Sequence, residues 1–126
     1  MIKETQIQMT HLMKDQVQIH PDELLELFAH TELLPYTEGI YKDGPTIFEM
    51  IPTQFDEERQ DVTVYIPVIS ETASTSQLTY LPSLSIDGIS QRVLFAEGLD
   101  ERLYEMKSYI REKGWELQDK LYLVLI

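Results

Sequence analysis

The chain contains no cysteine, so neither a disulfide framework nor a thiolate metal site is open to it. Long apolar runs are missing too, and nothing approaches the roughly 18 residues needed to span a bilayer. The opening residues, Met1 to Gln6, lack the apolar segment of a secretion signal. Basic side chains are scarce. Ten Lys and Arg stand against 22 Asp and Glu, for a formal net charge of -12. Nucleic-acid affinity rests on clustered cations that neutralise phosphates, so DNA and RNA are poor candidates for a ligand. These absences point to a cytoplasmic chain with neither a membrane segment nor a nucleic-acid partner. The same acidic field draws cationic small molecules or a basic protein, and it equally serves plain solubility.

Catalytic signatures are also absent. There is no G-x-S-x-G, no phosphate loop and no H-E-x-x-H. His11, His20 and His30 are not spaced as a metal pair on one helix face. His20, ahead of a proline at a helix start, reads as structural, and His30 as surface. The run Asp56-Glu57-Glu58 lacks the spaced ligands of a calcium loop and reads as solvated. The expectation is a non-enzyme with no metal and no cofactor.

What remains is the composition of one ordinary domain. The 126 residues are 43% hydrophobic and 25% charged, enough to bury a core without staples. Ile7 and Met9 alternate with polar residues, which predicts a strand over Thr5 to Leu12, interrupted by Lys14-Asp15-Gln16. His20-Pro21-Asp22-Glu23 opens a helix with Leu24, Leu25, Phe28 and Thr31 inward, stopped by Pro35. Thr46 to Ile51 reads as a strand, and Gln54 to Gln60 as a polar loop. Asp61 to Ile69 alternates most clearly, with Pro67 marking an edge or bulge.

Residues 70 to 77 form a polar connection between two halves, about 1–70 and 78–126, of a single domain. Leu78 to Leu81 predicts a short strand. Leu84 to Ile86, Asp87-Gly88 and Ile89 onward predict a hairpin, with Gln91 to Ala96 continuing as a strand. Asp100 is placed to cap a second helix with a stripe of Leu99, Leu103, Met106 and Ile110, closed by Gly114. Lys120 to Ile126 ends the chain as a strand, Leu121, Leu123 and Leu125 on one face and Tyr122, Val124 and Ile126 on the other.

The order is strand, helix, strand, strand, then strand, helix, strand, and the halves echo one another. Asp22-Glu23-Leu24-Leu25 matches Asp100-Glu101-Arg102-Leu103, and Phe28 falls where Met106 falls. Three segments carry a family resemblance: Gly44-Pro45-Thr46-Ile47-Phe48-Glu49-Met50, Asp61-Val62-Thr63-Val64-Tyr65-Ile66-Pro67-Val68, and the block from Arg92 to Gly114. With these the chain resembles the gyrase-inhibitor-like domain, also found as the effector-binding domain of multidrug-responsive transcription activators. The resemblance implies an α+β fold. Two strand-helix-strand-strand units would form one antiparallel sheet with two helices packed on it, and a groove between the halves. It further implies hydrophobic cations as ligands, held by aromatics and a buried glutamate. Other members bind proteins, and a few hydrolyse small reactive compounds. The chain stops at Ile126, where the resemblance implies a further strand that commonly carries the ligand glutamate, so an open sheet edge is expected.

The candidate ligand-binding residues are therefore Glu49, Tyr65, Phe48, Trp115 and Tyr122. Glu49, between Phe48 and Met50, either faces the groove or faces water. Tyr65 lies opposite the valine face of its strand. Trp115 either closes a groove or caps the core. The leading expectation is a non-catalytic module that binds a lipophilic or cationic small molecule. Its rivals are an acidic protein-interaction module for a basic partner, of the inhibitor, accessory or immunity type, and a small hydrolase. The oligomeric state is open between monomer and dimer.

Overall fold

A computed structural model describes residues 2–71, 73–74, 78–91, 99–116 and 118–124. Its first strand, β1 (Lys3–Ile19), is 17 residues long and runs straight through the polar triplet expected to interrupt it. The reason is one backbone irregularity. His11 has φ 62, and its carbonyl accepts the Val68 N–H at 2.9 Å. An extra residue in one strand of a pair inverts the alternation downstream. Met9 and Leu12 accordingly fall in the same cluster although they are three residues apart. Leu12 and Met13, adjacent in sequence, are both fully buried in different clusters. Lys14, Asp15 and Gln16 then pair with Tyr65, Val64 and Thr63 as ordinary strand residues.

A 3-10 turn over Pro21–Glu23 leads into helix α1 (Leu24–Glu38). His20 caps it. Its Nδ1 accepts the Asp22 N–H at 3.2 Å, and its own N–H donates to the Glu23 carboxylate at 2.8 Å. Pro35 does not end the helix. It sits buried in the last turn, where its missing N–H removes a single intrahelical bond, and the burial of Leu34 holds that residue helical. The chain leaves the helix at Gly39, φ 68, with the Ile40 N–H donating to the Pro35 carbonyl at 2.8 Å. The buried face is Leu27, Phe28, Thr31 and Leu34, so the inward stripe lies away from Leu25, which is exposed.

Four strands and a second helix follow: β2 (Ile47–Met50), β3 (Gln60–Pro67), β4 (Thr79–Ser90), α2 (Leu99–Glu112) and β5 (Leu121–Val124). The sheet order is β4-β1-β3-β2-β5, and the β1–β3, β3–β2 and β2–β5 pairs are antiparallel. The architecture is thus α+β, one antiparallel five-stranded sheet with two helices, and the elements follow in the order strand, helix, strand, strand, strand, helix, strand. Pro67 ends β3 within the sheet, opposite Leu12 and beside the irregularity at His11, and not on a sheet edge.

The expected hairpin at Asp87-Gly88 is not formed. β4 is continuous through it, and Gly88 has no positive φ. Pairing along β1 overrides the local turn preference, and the hydroxyls of Thr5 and Ser90 meet near one end of the two strands. The strand expected over Gln91 to Ala96 lies outside the described residues, apart from Gln91, which is not in a strand. Asp100 falls inside the first turn of α2 and not at its cap. The other end is as expected: beyond Gly114, φ 72, the Trp115 N–H closes on the Ile110 carbonyl at 3.1 Å. β5 is an edge strand. Among the described residues, no helix is long and apolar enough to cross a membrane.

The chain divides into two compact units, Met1–Gln8 with Ser85–Gln118, and Met9–Leu84 with Asp119–Ile126. The second unit holds the main core. Phe28 of α1 meets Phe48 of β2 with ring centroids 4.7 Å apart, surrounded by Met13, Val62, Val64 and Ile66. Each such side chain stabilises the fold by about 1.5–3 kcal/mol when fully buried.

Candidate functional site

Alternation in three adjacent strands builds the opposite face of the sheet. In β2, Phe48 and Met50 belong to the core beside α1, which sends Ile47 and Glu49 to the other side. In β3, Val62, Val64 and Ile66 join that core, and Tyr65 joins Ile47 and Leu12. In β5, Leu123 packs with the core, and Tyr122 and Val124 pack with Tyr65 and Ile47. The register then brings particular groups together. Ile47 lies between Tyr65 and Val124, and Glu49 lies between Thr63 and Tyr122.

Two phenols converge on the Glu49 carboxylate. The Tyr65 hydroxyl donates to Glu49 Oε1 at 3.2 Å. Tyr122 stands directly opposite Glu49 from the strand on the other side of β2, and its phenol feels the same carboxylate. Glu49 is half-buried and Tyr65 is buried. Burial pushes the Tyr65 hydroxyl up to about 12, with the charge of Glu49 and the hydrogen bond to it adding to the effect. Tyr122 is pushed further above the ordinary tyrosine range, by burial first, then by its hydrogen bond to Glu49 and the charges of Glu49 and Tyr65. Both phenols stay protonated at neutral pH, so they act as donors and not as nucleophiles.

Among the described residues, Glu49 has no Lys or Arg partner. The lysine and arginine ion pairs lie elsewhere, Lys42 with Glu32 at 3.0 Å and Arg102 with Glu105 at 3.4 Å. Lys14 stands opposite Tyr65 in the β1–β3 register without pairing to Glu49. The site is thus a carboxylate between two neutral phenols in an apolar surround of Leu12, Ile47 and Val124, and no described Lys or Arg neutralises its charge. Two open depressions of about 300 and 330 Å³ have no Glu49, Tyr65 or Tyr122 in their lining. One is lined by Lys14, Asp15, Gln16 and Thr79, the other by Gln18, Ile19, His20, Glu23, Glu58 and Arg59.

Of the five residues singled out in the sequence, Glu49, Tyr65 and Tyr122 meet in this cluster. Phe48 does not join them. It is fully buried on the other face, against Phe28, because neighbours in a strand point to opposite sides. Trp115 belongs to the other compact unit, where its ring lies 6.3 Å from that of Tyr109. Sequence reasoning missed Ile47, Leu12 and Val124. Ile47 and Val124 could have been found two residues from Glu49 and Tyr122, but Leu12 depends on the irregularity at His11 and on cross-strand register. His11 itself has its Nδ1 2.6 Å from the Tyr80 hydroxyl. Among the described residues, no group of three His, Asp or Glu side chains could hold a metal ion.

No protein-family model and no curated protein matches the chain.

Proposed function

We propose that the chain is a cytoplasmic, non-catalytic binding module that takes a lipophilic organic cation on the sheet face centred on Glu49. The observation that carries this reading is the pair of phenols beside one carboxylate that no described Lys or Arg neutralises. A half-buried charge interacts more strongly with a cation than a solvated one, because less water screens it. Tyr122, half-buried, supplies aromatic surface, and a cation over such a ring gains about 0.5–2 kcal/mol. Val124, half-buried, offers apolar contact to the rest of the ligand, above a floor of the buried Leu12 and Ile47. The net charge of -12 raises the local concentration of cations and repels anions. The resemblance to the gyrase-inhibitor-like domain supports the same ligand class.

Native mass spectrometry of the purified protein against a panel of lipophilic cations and neutral aromatics tests the reading. A stoichiometric cation adduct that disappears in Glu49→Gln supports it. A protein that takes up no cation, or one whose adducts are indifferent to Glu49→Gln, overturns it.

A further inference from the structure

Helix α1 is apolar on two sides, and only one is used by the core. Leu27, Phe28, Thr31 and Leu34 face the sheet. On the far side Leu25, Ala29, Leu33 and Tyr36 recur at steps of four, four and three, which places them on a single stripe. Leu25 is 64% exposed, Leu33 62% and Tyr36 84%. The stripe covers three helical turns, about 16 Å. Contiguous exposed apolar surface with a polar rim marks an interaction site far more often than scattered single residues do.

The rim says what the partner must be. Glu26 and His30 border the stripe on one side and Glu32 on the other. Residues 22–38 carry five carboxylates, Asp22, Glu23, Glu26, Glu32 and Glu38, and no Lys or Arg. Lys42, from beyond the helix, neutralises only Glu32. A second copy laid on this stripe would bring two acidic rims together, against a net charge of -12 on each chain. An anionic lipid surface is repelled by the same sign. A helix that is apolar on one side and bordered by Lys or Arg satisfies both requirements, since its apolar side covers the leucines and its cations meet the carboxylates.

We infer that the outer face of α1 docks a cationic amphipathic helix of a partner protein through Leu25, Leu33 and Tyr36. This surface is separate from the Glu49 face and does not depend on it.

The probe is a labelled leucine–lysine peptide of about 15 residues, a helix roughly as long as α1. A scrambled peptide of the same composition serves as control. Binding is read by fluorescence anisotropy on the full chain, on Leu33→Ser/Tyr36→Ser, on Leu25→Ser and on Glu49→Gln. Light scattering gives the mass of each protein. The expected result is a monomer that binds the amphipathic peptide in preference to the scrambled one. Both stripe variants should bind at least about tenfold more weakly, as expected when interface anchors are lost. Glu49→Gln should bind like the unaltered chain. All the substituted stripe residues are exposed, so the variants should keep the fold, which circular dichroism checks. Any of four results overturns the inference: no peptide binding, equal binding of the scrambled peptide, equal binding by the stripe variants, or a dimer that the stripe variants dissociate.

Discussion

The Tyr65 hydroxyl reaches Glu49 diagonally, since in the β2–β3 register Tyr65 stands opposite Ile47 and Glu49 opposite Thr63. Diagonal neighbours in a sheet are about 7–8 Å apart, a gap that a tyrosine can bridge. Tyr122 stands directly opposite Glu49 from β5. The carboxylate therefore lies between two phenols, one reaching it diagonally and one directly opposite.

This arrangement has an alkaline signature. The folded-state pKa of Tyr65 is raised from 10.0 to about 12, and that of Tyr122 is raised further. A raised pKa contributes stability that is fully present below the unfolded value and is lost as pH climbs through the folded one. Stability should therefore fall from pH 10 upward through about 12 as these phenols ionise. Tyrosinate absorbance during an alkaline titration should show two late-ionising groups. In Glu49→Gln both should ionise earlier, because the negative charge is removed while burial and an amide oxygen that still accepts remain. An unchanged titration curve would mean that Glu49 does not act on them.

His11 is the second place where local preference is overruled. Its φ of 62 is a conformation that a β-branched residue adopts at a cost of about 1–2 kcal/mol. His11→Val, favourable at an ordinary strand position, should lower stability by at least that amount in urea unfolding. His11→Asn should lose less, since asparagine tolerates positive φ. Equal stability of the two variants would contradict the backbone irregularity.

The two faces of β2 should separate stability from binding. Phe48→Ala opens a cavity against Phe28 and should cost about 3–5 kcal/mol, read from denaturant midpoints. Glu49→Gln should change stability by far less and abolish the preference for cations. If Phe48→Ala left stability intact, the assignment of Phe48 to the core would fail.

β4 offers a test of similar kind. Gly88 has ordinary strand geometry and open space around it, so Gly88→Val should be neutral or slightly stabilising. Gly39, φ 68, closes α1, and Gly39→Ala should cost about 1 kcal/mol. Thermal melts of the two variants check both. A large loss at Gly88 would restore the tight turn that Asp87-Gly88 suggests.

The α+β class and the two faces of β2, β3 and β5 were legible because each rests on short-range periodicity, whereas the meeting of Glu49, Tyr65 and Tyr122 depends on cross-strand register. The alternation of Val62, Val64 and Ile66 against Tyr65 identifies two faces without a partner strand. The failures share a different cause. Lys14-Asp15-Gln16 reads as a break only if β1 alternates without interruption, and the shift at His11 leaves no mark in residue type. Asp87-Gly88 reads as a turn only if no other strand competes for it, and β1 does. Pro35 stops a helix in isolation, but burial of Leu34 and Pro35 carries α1 one turn further. Phe48 and Glu49 are neighbours in sequence, and strand geometry sends neighbours to opposite faces, Phe48 to the core against Phe28.

The most direct test of the Glu49 face is a calorimetric titration with two molecules of one shape. Benzyltrimethylammonium and neopentylbenzene differ only in whether the central atom is a cationic nitrogen or a neutral carbon. The account predicts saturable binding of the cation, at least about tenfold tighter than of its neutral twin, a gap that corresponds to about 1.4 kcal/mol. Glu49→Gln should close that gap. Equal affinity for the two molecules, or a preference that survives Glu49→Gln, would contradict the account.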